Sequence, residues 1–142
     1  MRVEVYSDGS GTTADKPAGY GYVTVVDGVA TYEGNGRLDT GTNNDAELQG
    51  AIEGLDSLHY HFEPEELTDV WLVSDSEIIL GWADGTRAFR QEDKIDKYQQ
   101  LRNMMAEFKA KTRWVPGHKG EPFNELCDKL ANEARKNPGL EK

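Results

Sequence analysis

Hydrophobic and polar positions alternate at the start of the chain, where Val3 and Val5 lead to Asp8, and this period of two predicts a strand. The turn-rich stretch GSGTTADKPAG ends it. Two further strands, YGYVTVV and ATYEGNGRL, flank Asp27-Gly28, a dipeptide that tolerates the positive φ angles of a tight hairpin. The first three strands should therefore form an antiparallel meander. The period then changes. Leu48, Ala51, Ile52, Leu55 and Leu58 fall on one face of a helix. After a loop containing Pro64, the short apolar run VWLVS reads as a strand buried on both faces and thus central in its sheet. A short helix is predicted from about Ser76, a longer one from Ile95 to Ala110, and a strand at TRWVP. A last helix starts near Glu121, with Cys127, Leu130, Ala131 and Ala134 on its apolar stripe. Strands first, then strands alternating with helices, predict the α/β class: a mixed sheet with helices on its faces. Residues 1–137 are expected to form one domain, with residues 138–142 as a flexible tail.

Composition narrows the setting. At 142 residues with 37% hydrophobic content, the chain can bury a real core. It has no apolar run long enough to span a bilayer, and MRVEVYSDGS lacks the apolar stretch of a signal peptide, so a cytoplasmic protein without membrane contact is expected. Cys127 is the single cysteine, which excludes an intrachain disulfide and a thiolate zinc site. The net charge of −10 argues against a protein that merely coats nucleic acid, since such affinity comes from Lys and Arg neutralising phosphates. The charge is uneven, however. From Asp84 to Arg113, eight basic residues outnumber five acidic ones, a local surplus of +3 that leaves −13 on the rest. That segment reads either as a surface for a nucleic-acid backbone or as an ordinary solvated helix.

Four acids sit where a strand or helix would carry a carboxylate into one shared site: Asp8 in YSDGSG, Glu47 in TNNDAELQGAI, Asp75 in LVSDSEII and Asp128 in GHKGEPFNELCDKLA. Each has a plain structural reading. Asp8 before Gly9 can form a turn; Asn44 and Glu47 match a capping box; Ser74 and Glu77 match another; Asp128 can be a solvated acid on a polar helix face. Asp75, however, ends a strand expected to be central, and ligands of open α/β sheets gather at that end. Asn124 and Glu121 share the stripe of Asp128. Carboxylates drawn into one site repel by roughly 4 kcal/mol per pair at about 4 Å and an effective dielectric near 20. Hard divalent cations such as Mg²⁺ remove that repulsion, and a pair of them can assist the attacking and leaving oxygens at a phosphate. The four acids therefore suggest metal-dependent phosphodiester hydrolysis by in-line attack, one ion activating a water and the other stabilising the departing 3′ oxygen. His118, in a loop, has a near-neutral pKa suited to proton movement, although a lone loop histidine is more often a surface residue. His59 and His61 at a helix end read as partners of its dipole, and Trp82 and Phe89 as packing groups or, less often, base-stacking ones.

In order along the chain, YSDGSG, TNNDAELQGAI, LVSDSEII and PGHKGEPFNELCDKLA resemble type 1 ribonuclease H, and the match spans nearly the whole sequence. The resemblance implies a ribonuclease H-like fold with a five-stranded mixed sheet. It implies an endonuclease that hydrolyses the RNA strand of an RNA/DNA hybrid and leaves a 3′-hydroxyl and a 5′-phosphate. Carried over by residue, Asp8, Glu47, Asp75 and Asp128 look like the family's metal-binding and catalytic acids, expected to hold two Mg²⁺ with Mn²⁺ as a substitute. His118 looks like its mobile-loop histidine. Asn43 and Asn44 match positions that touch the hybrid's minor groove, Thr42 matches part of a phosphate pocket, and Gly9 and Ser10 would meet the RNA strand. The hybrid is the expected partner, and a monomer is expected. The stretch from Gly81 to Ile95 is too short for the extra helix and lysine-rich loop of members with a basic protrusion. Three alternatives remain: a different nuclease of the superfamily, a non-catalytic module that binds hybrids, and a plain acidic binder of divalent ions.

Overall fold

A computed structural model describes residues 1–117 and 120–136 of the chain; His118 and the tail lie outside the described residues. Five strands form one sheet: β1 (Val3–Ser10), β2 (Ala18–Val26), β3 (Val29–Leu38), β4 (Val70–Ser74) and β5 (Lys111–Trp114). Their order is β3-β2-β1-β4-β5, antiparallel through β3, β2 and β1 and parallel from β1 through β4 to β5. The meander is therefore present. Its hairpin closes between Val26 and Val29, with Asp27 at φ 49 and Gly28 at φ 86, the positive angles that this two-residue turn demands. The middle position belongs to β1, whereas β4 is interior and one strand from the edge.

Each face of the sheet has its own core. Val3, Val5 and Leu72 pack with α1 (Asn43–Asp56), α3 (Glu77–Asp84) and α4 (Ile95–Glu107), where Leu48, Leu55, Ile79 and Leu101 are fully or almost fully buried. Tyr6, Val23, Val25 and Val73 pack on the other face against Cys127 and Leu130 of α5 (Pro122–Lys136). Burying one such aliphatic side chain contributes about 1.5–3 kcal/mol, so the two cores hold both sets of helices onto the sheet. The period of two puts Glu4, Tyr6 and Asp8 together on the α5 side of β1.

Several boundaries differ from the sequence pattern. The first long helix stops at Asp56, and Leu58 begins a separate single turn, α2 (Leu58–His61), while keeping its buried position. The longer helix ends at Glu107, before Lys109 adopts φ 49, and β5 opens at Lys111. Between α3 and α4 lie only a loop and the 3₁₀ turn Glu92–Lys94, so no extra helix is inserted there.

Both expected capping boxes are displaced. The first helix is capped by Thr42, whose Oγ1 accepts from Asp45 N at 3.1 Å while Asp45 Oδ2 accepts from Thr42 N at 2.8 Å. Asn44 and Glu47 are thereby released from capping. At α3 the cap is Ser76, whose Oγ accepts from Ile79 N, because Ser74 is still paired within the sheet. That leaves Asp75 between the end of β4 and its following helix, in neither element.

Candidate active site

At the carboxyl ends of β1 and β4 a cleft of about 1160 Å³ opens, lined by Asp8, Asn43, Asn44, Glu47, Asp75 and Asp128 among others. Each acid arrives from a different place: Asp8 from β1, Glu47 from the first turns of α1, Asp75 from the bend after β4, and Asp128 from the middle of α5. The parallel pairing of β1 with β4 brings the first and third to the same end of the sheet. Gly9 makes the approach of α1 possible, because a Cβ there would stand 2.5 Å from Glu47 N and 2.7 Å from Glu47 Cγ. A larger residue at position 9 would push Glu47 away from Asp8.

The electrostatics of the cleft are those of an uncompensated acid cluster. Asp8 is 8% exposed, and its described hydrogen bond is from Gly9 N to Oδ1 at 2.9 Å. Burial first, and then the charge of Asp75, push its carboxyl up to about 8, with Glu47 and Asp128 adding to the effect. Glu47 is pushed up to about 7, again by burial and by Asp75. Its Oε1 accepts from Asn43 Nδ2, whereas its buried Oε2 has no partner among the described residues. Asp75 Oδ2 accepts from Asn124 Nδ2 at 3.2 Å, and Asn124 Oδ1 is buried without a partner among the described residues. Asp128 is exposed at the rim.

These observations fit a divalent cation. Hard oxygen donors face one another, one carboxylate oxygen is orphaned, and the raised pKa values report a cost that positive charge would reverse. The acids line the cleft without closing a ready cage, since no described group of three His, Cys, Asp or Glu side chains surrounds a single point. Asp8, Glu47, Asp75 and Asp128 are the residues that could hold such an ion.

Around the acids, Asn44 lines the cleft and makes no side-chain hydrogen bond among the described residues. Asn43 is committed at both ends, since its Oδ1 also accepts from Gly11 N at 3.2 Å. Thr42 spends its oxygen as the α1 cap and keeps its hydroxyl proton to donate. Ser10 turns toward α5: its Oγ donates to Asn132 Oδ1 at 2.7 Å and accepts from Arg135 Nε at 2.8 Å. Trp114, on the edge strand β5, lines the cleft and donates from Nε1 to Asp75 O at 3.1 Å, a role that nothing in its local pattern announces. Asn124 was traceable through its helical spacing from Asp128.

The basic segment divides. Lys94 pairs with Asp45 at 2.5 Å, Lys111 with Asp69 at 3.3 Å and Arg113 with Glu4 at 2.6 Å, while Arg102 donates to Ala83 O. Arg87 lines the cleft and, like Arg90, makes no ion pair among the described residues. Trp82 is 6% exposed against Phe89, which stacks on Tyr98, so these aromatics serve packing. His59 sits between Asp56 and Glu107, and His61 stacks on Tyr32, so the two do not share a ligand. No helix among the described residues is long and apolar enough to cross a membrane.

Comparison with known proteins agrees with this geometry. The RNase H family model matches residues 1–136. Ribonuclease H of Escherichia coli is 35% identical over 147 aligned positions, which cover 99% of this chain and 93% of that protein. The crystal structure of RNase H1 from the halophilic archaeon Halobacterium salinarum superposes with a TM-score of 0.81 at 29% identity, covering 96% of this chain and 99% of that one. LC11-RNase H1, solved in complex with an RNA/DNA hybrid, shares the fold with a TM-score of 0.81 at 24% identity, covering 96% and 98%. A cleft that gathers Asp8, Glu47, Asp75 and Asp128, on a sheet of this order and with this match along the sequence, makes the chain an enzyme of the ribonuclease H family of endonucleases.

Proposed function

We propose that this enzyme hydrolyses the RNA strand of RNA/DNA hybrids in the acidic cleft, leaving a 3′-hydroxyl and a 5′-phosphate. The observation that carries the reading is the convergence of Asp8, Glu47, Asp75 and Asp128 on one cleft, with Glu47 Oε2 unpartnered and Asp8 pushed up to about 8. The LC11 protein of the same fold binds such a hybrid.

In this reading the four acids would hold two Mg²⁺, with Mn²⁺ able to replace it. Bound there, the ions would supply positive charge to the attacking water and to the departing 3′ oxygen. The chain's own groups set the geometry. Asn124 and the Trp114–Asp75 bond hold Asp75, and Gly9 lets Glu47 close on Asp8. Asn44, whose amide makes no hydrogen bond among the described residues, would meet a base edge or a 2′-hydroxyl, the group by which RNA is told from DNA, and Asn43 supports it from the same turn. Thr42 can donate its hydroxyl to a backbone phosphate. Gly9 and Ser10 border the path of the RNA strand through their main chain. His118 is assigned proton movement during product departure, on the strength of the family resemblance. Residues 1–137 are taken as one domain acting as a monomer.

The test is cleavage of an end-labelled RNA/DNA hybrid beside matched RNA/RNA and DNA/DNA duplexes, in Mg²⁺ and in EDTA, with Asp8→Asn in parallel. Cutting of hybrid RNA alone, dependent on Mg²⁺ and lost in the variant, is expected. Hybrid binding without cutting in any metal would instead make the chain a non-catalytic module.

A further inference from the structure

The cleft's acids occupy only part of a longer polar stripe on α5. Asn124, Asp128, Asn132 and Arg135 follow one another at spacings of four, four and three residues and so share one helical face. The first contacts Asp75 and the second lines the same cleft as Asp8; the last two bind Ser10 at the end of β1. The stripe thus runs along the rim of the sheet from β4 past β1, and Arg135 stands beyond Asp128 by seven residues, about 10 Å of helix.

Arg135 is held against the end of β1 by the helix that carries Asp128. It makes no ion pair among the described residues, and its hydrogen bonds go to neutral oxygens, from Nε to Ser10 Oγ at 2.8 Å and from Nη2 to Asn132 Oδ1 at 3.2 Å. Ser10 in turn donates to that same Asn132 oxygen, so Ser10 and Asn132 hold the guanidinium in place while no carboxylate among the described residues pairs with it. By contrast Arg113, Lys94 and Lys111 are each neutralised by a carboxylate. A guanidinium fixed by neutral partners keeps its remaining donors and full charge for an external anion, and its fork geometry matches a phosphate. The side chain is partly exposed, in keeping with that use.

We infer that Arg135 contacts a backbone phosphate of the bound nucleic acid a few base steps from the bond being cut, with Ser10 and Asn132 as its positioning residues. This rests on the proposed function above. At about 3.4 Å per base step, the 10 Å from Asp128 corresponds to roughly three steps. Ser10 then serves the substrate through Arg135, since its own hydroxyl donates within the protein.

The measurement is the salt dependence of hybrid affinity, made in Mg²⁺ on an Asp8→Asn background so that the substrate survives. One lost phosphate contact should flatten the plot of log affinity against log salt by about 0.9. Adding Arg135→Met is expected to do this, so that its deficit relative to the parent shrinks about threefold between 50 and 200 mM salt. Arg135→Lys should keep the slope. Lys109→Met removes an exposed cation at the opposite end of the sheet and should also leave it unchanged. An unaltered slope in Arg135→Met, with hybrid binding intact, overturns the inference alone; so does an equal flattening by Lys109→Met, which would mean a diffuse charge effect. A fall in melting temperature with no change in slope would make Arg135 a purely structural tie. Absence of hybrid binding in every variant, together with absence of cutting by the native chain, would overturn the proposed function and this inference with it.

Discussion

Glu4 and Asp8 lie on the same face of β1, and each exposes 8% of its surface. Around Glu4 the protein supplies cations: Arg113 Nη2 at 2.6 Å and Arg2 Nη2 at 3.7 Å, with Arg113 also donating to the Tyr6 hydroxyl. Around Asp8 it supplies further acids, and the carboxyl moves up to about 8. The same residue chemistry at the same depth in one strand thus has opposite surroundings. The lower end of β1 is compensated as a structural ion pair must be, because a charge taken out of water without a partner costs several kcal/mol. The upper end leaves that cost standing, and strongly perturbed carboxyls of this kind gather at functional sites.

The sharpest way to break this contrast is to neutralise each acid in turn. Asp8→Asn should lower kcat for hybrid cleavage by about a thousandfold or more, the scale of roughly 4 kcal/mol of lost transition-state stabilisation. In EDTA at pH 8 the same variant should be more stable than the native chain, because a neutral amide escapes the cost that burial and the charge of Asp75 impose on the Asp8 carboxylate. Glu4→Gln should do the reverse: it should retain most activity and lose about 1–3 kcal/mol of stability by stranding Arg113. Paired kinetics and thermal melting separate the two; equal losses of activity would erase the distinction.

The next effect concerns pH. Asp8 and Glu47 have folded-state values raised above their ordinary ones, so between about 4 and 8 the native state holds more protons than the unfolded chain. Stability without metal should therefore be complete at low pH and fall as pH rises toward 8. If the ionised acids hold Mg²⁺ as proposed, the ion should flatten that decline, while hybrid cleavage should rise over the same range. Melting curves in EDTA and in Mg²⁺ from pH 5 to 9 check the sign. A metal-free stability that climbs with pH would show that the cleft's acids are compensated after all.

The smallest effect separates capping from chemistry within α1. Thr42→Ala should cost about 1 kcal/mol of stability, as loss of an N-cap commonly does. Glu47→Gln should cost no stability in EDTA and should nearly abolish turnover. If Glu47→Gln were the less stable of the two, Glu47 would be acting as a cap.

Local pattern left that question open because Asn44 and Glu47 match the capping rule, whereas the structure caps the helix two residues earlier with Thr42 and Asp45. Contacts distant in sequence choose between them. Thr42 is held extended at φ −80 and ψ 173 by its bridge to Thr12, and the preceding Gly41 N donates to Lys16 O. The helix must begin at Asn43, and Glu47 is delivered to the cleft. Ser74 fails as a cap for a similar reason, being held opposite Trp114 in β5. The basic segment shows the same limit. Its surplus is visible in the sequence, but the acids that absorb it, Glu4, Asp45 and Asp69, lie far away along the chain. Trp114 reaches Asp75 only because β5 pairs with β4.

What the sequence by itself determined is the set of elements and the identity of the acids. Alternation in β1, the Asp27-Gly28 turn and the stripes of α1 and α5 are local regularities, and local regularities follow from backbone geometry and burial. The four motifs in order added the family. Only the tertiary structure decided which charges are neutralised and which stand alone. Glu4 and Asp8 cannot be told apart by their place in a strand, and neither can Arg113 and Arg135 by their composition. Their difference is one of neighbours through space, and Coulomb energy depends on distance and surrounding dielectric, neither of which is written in sequence separation.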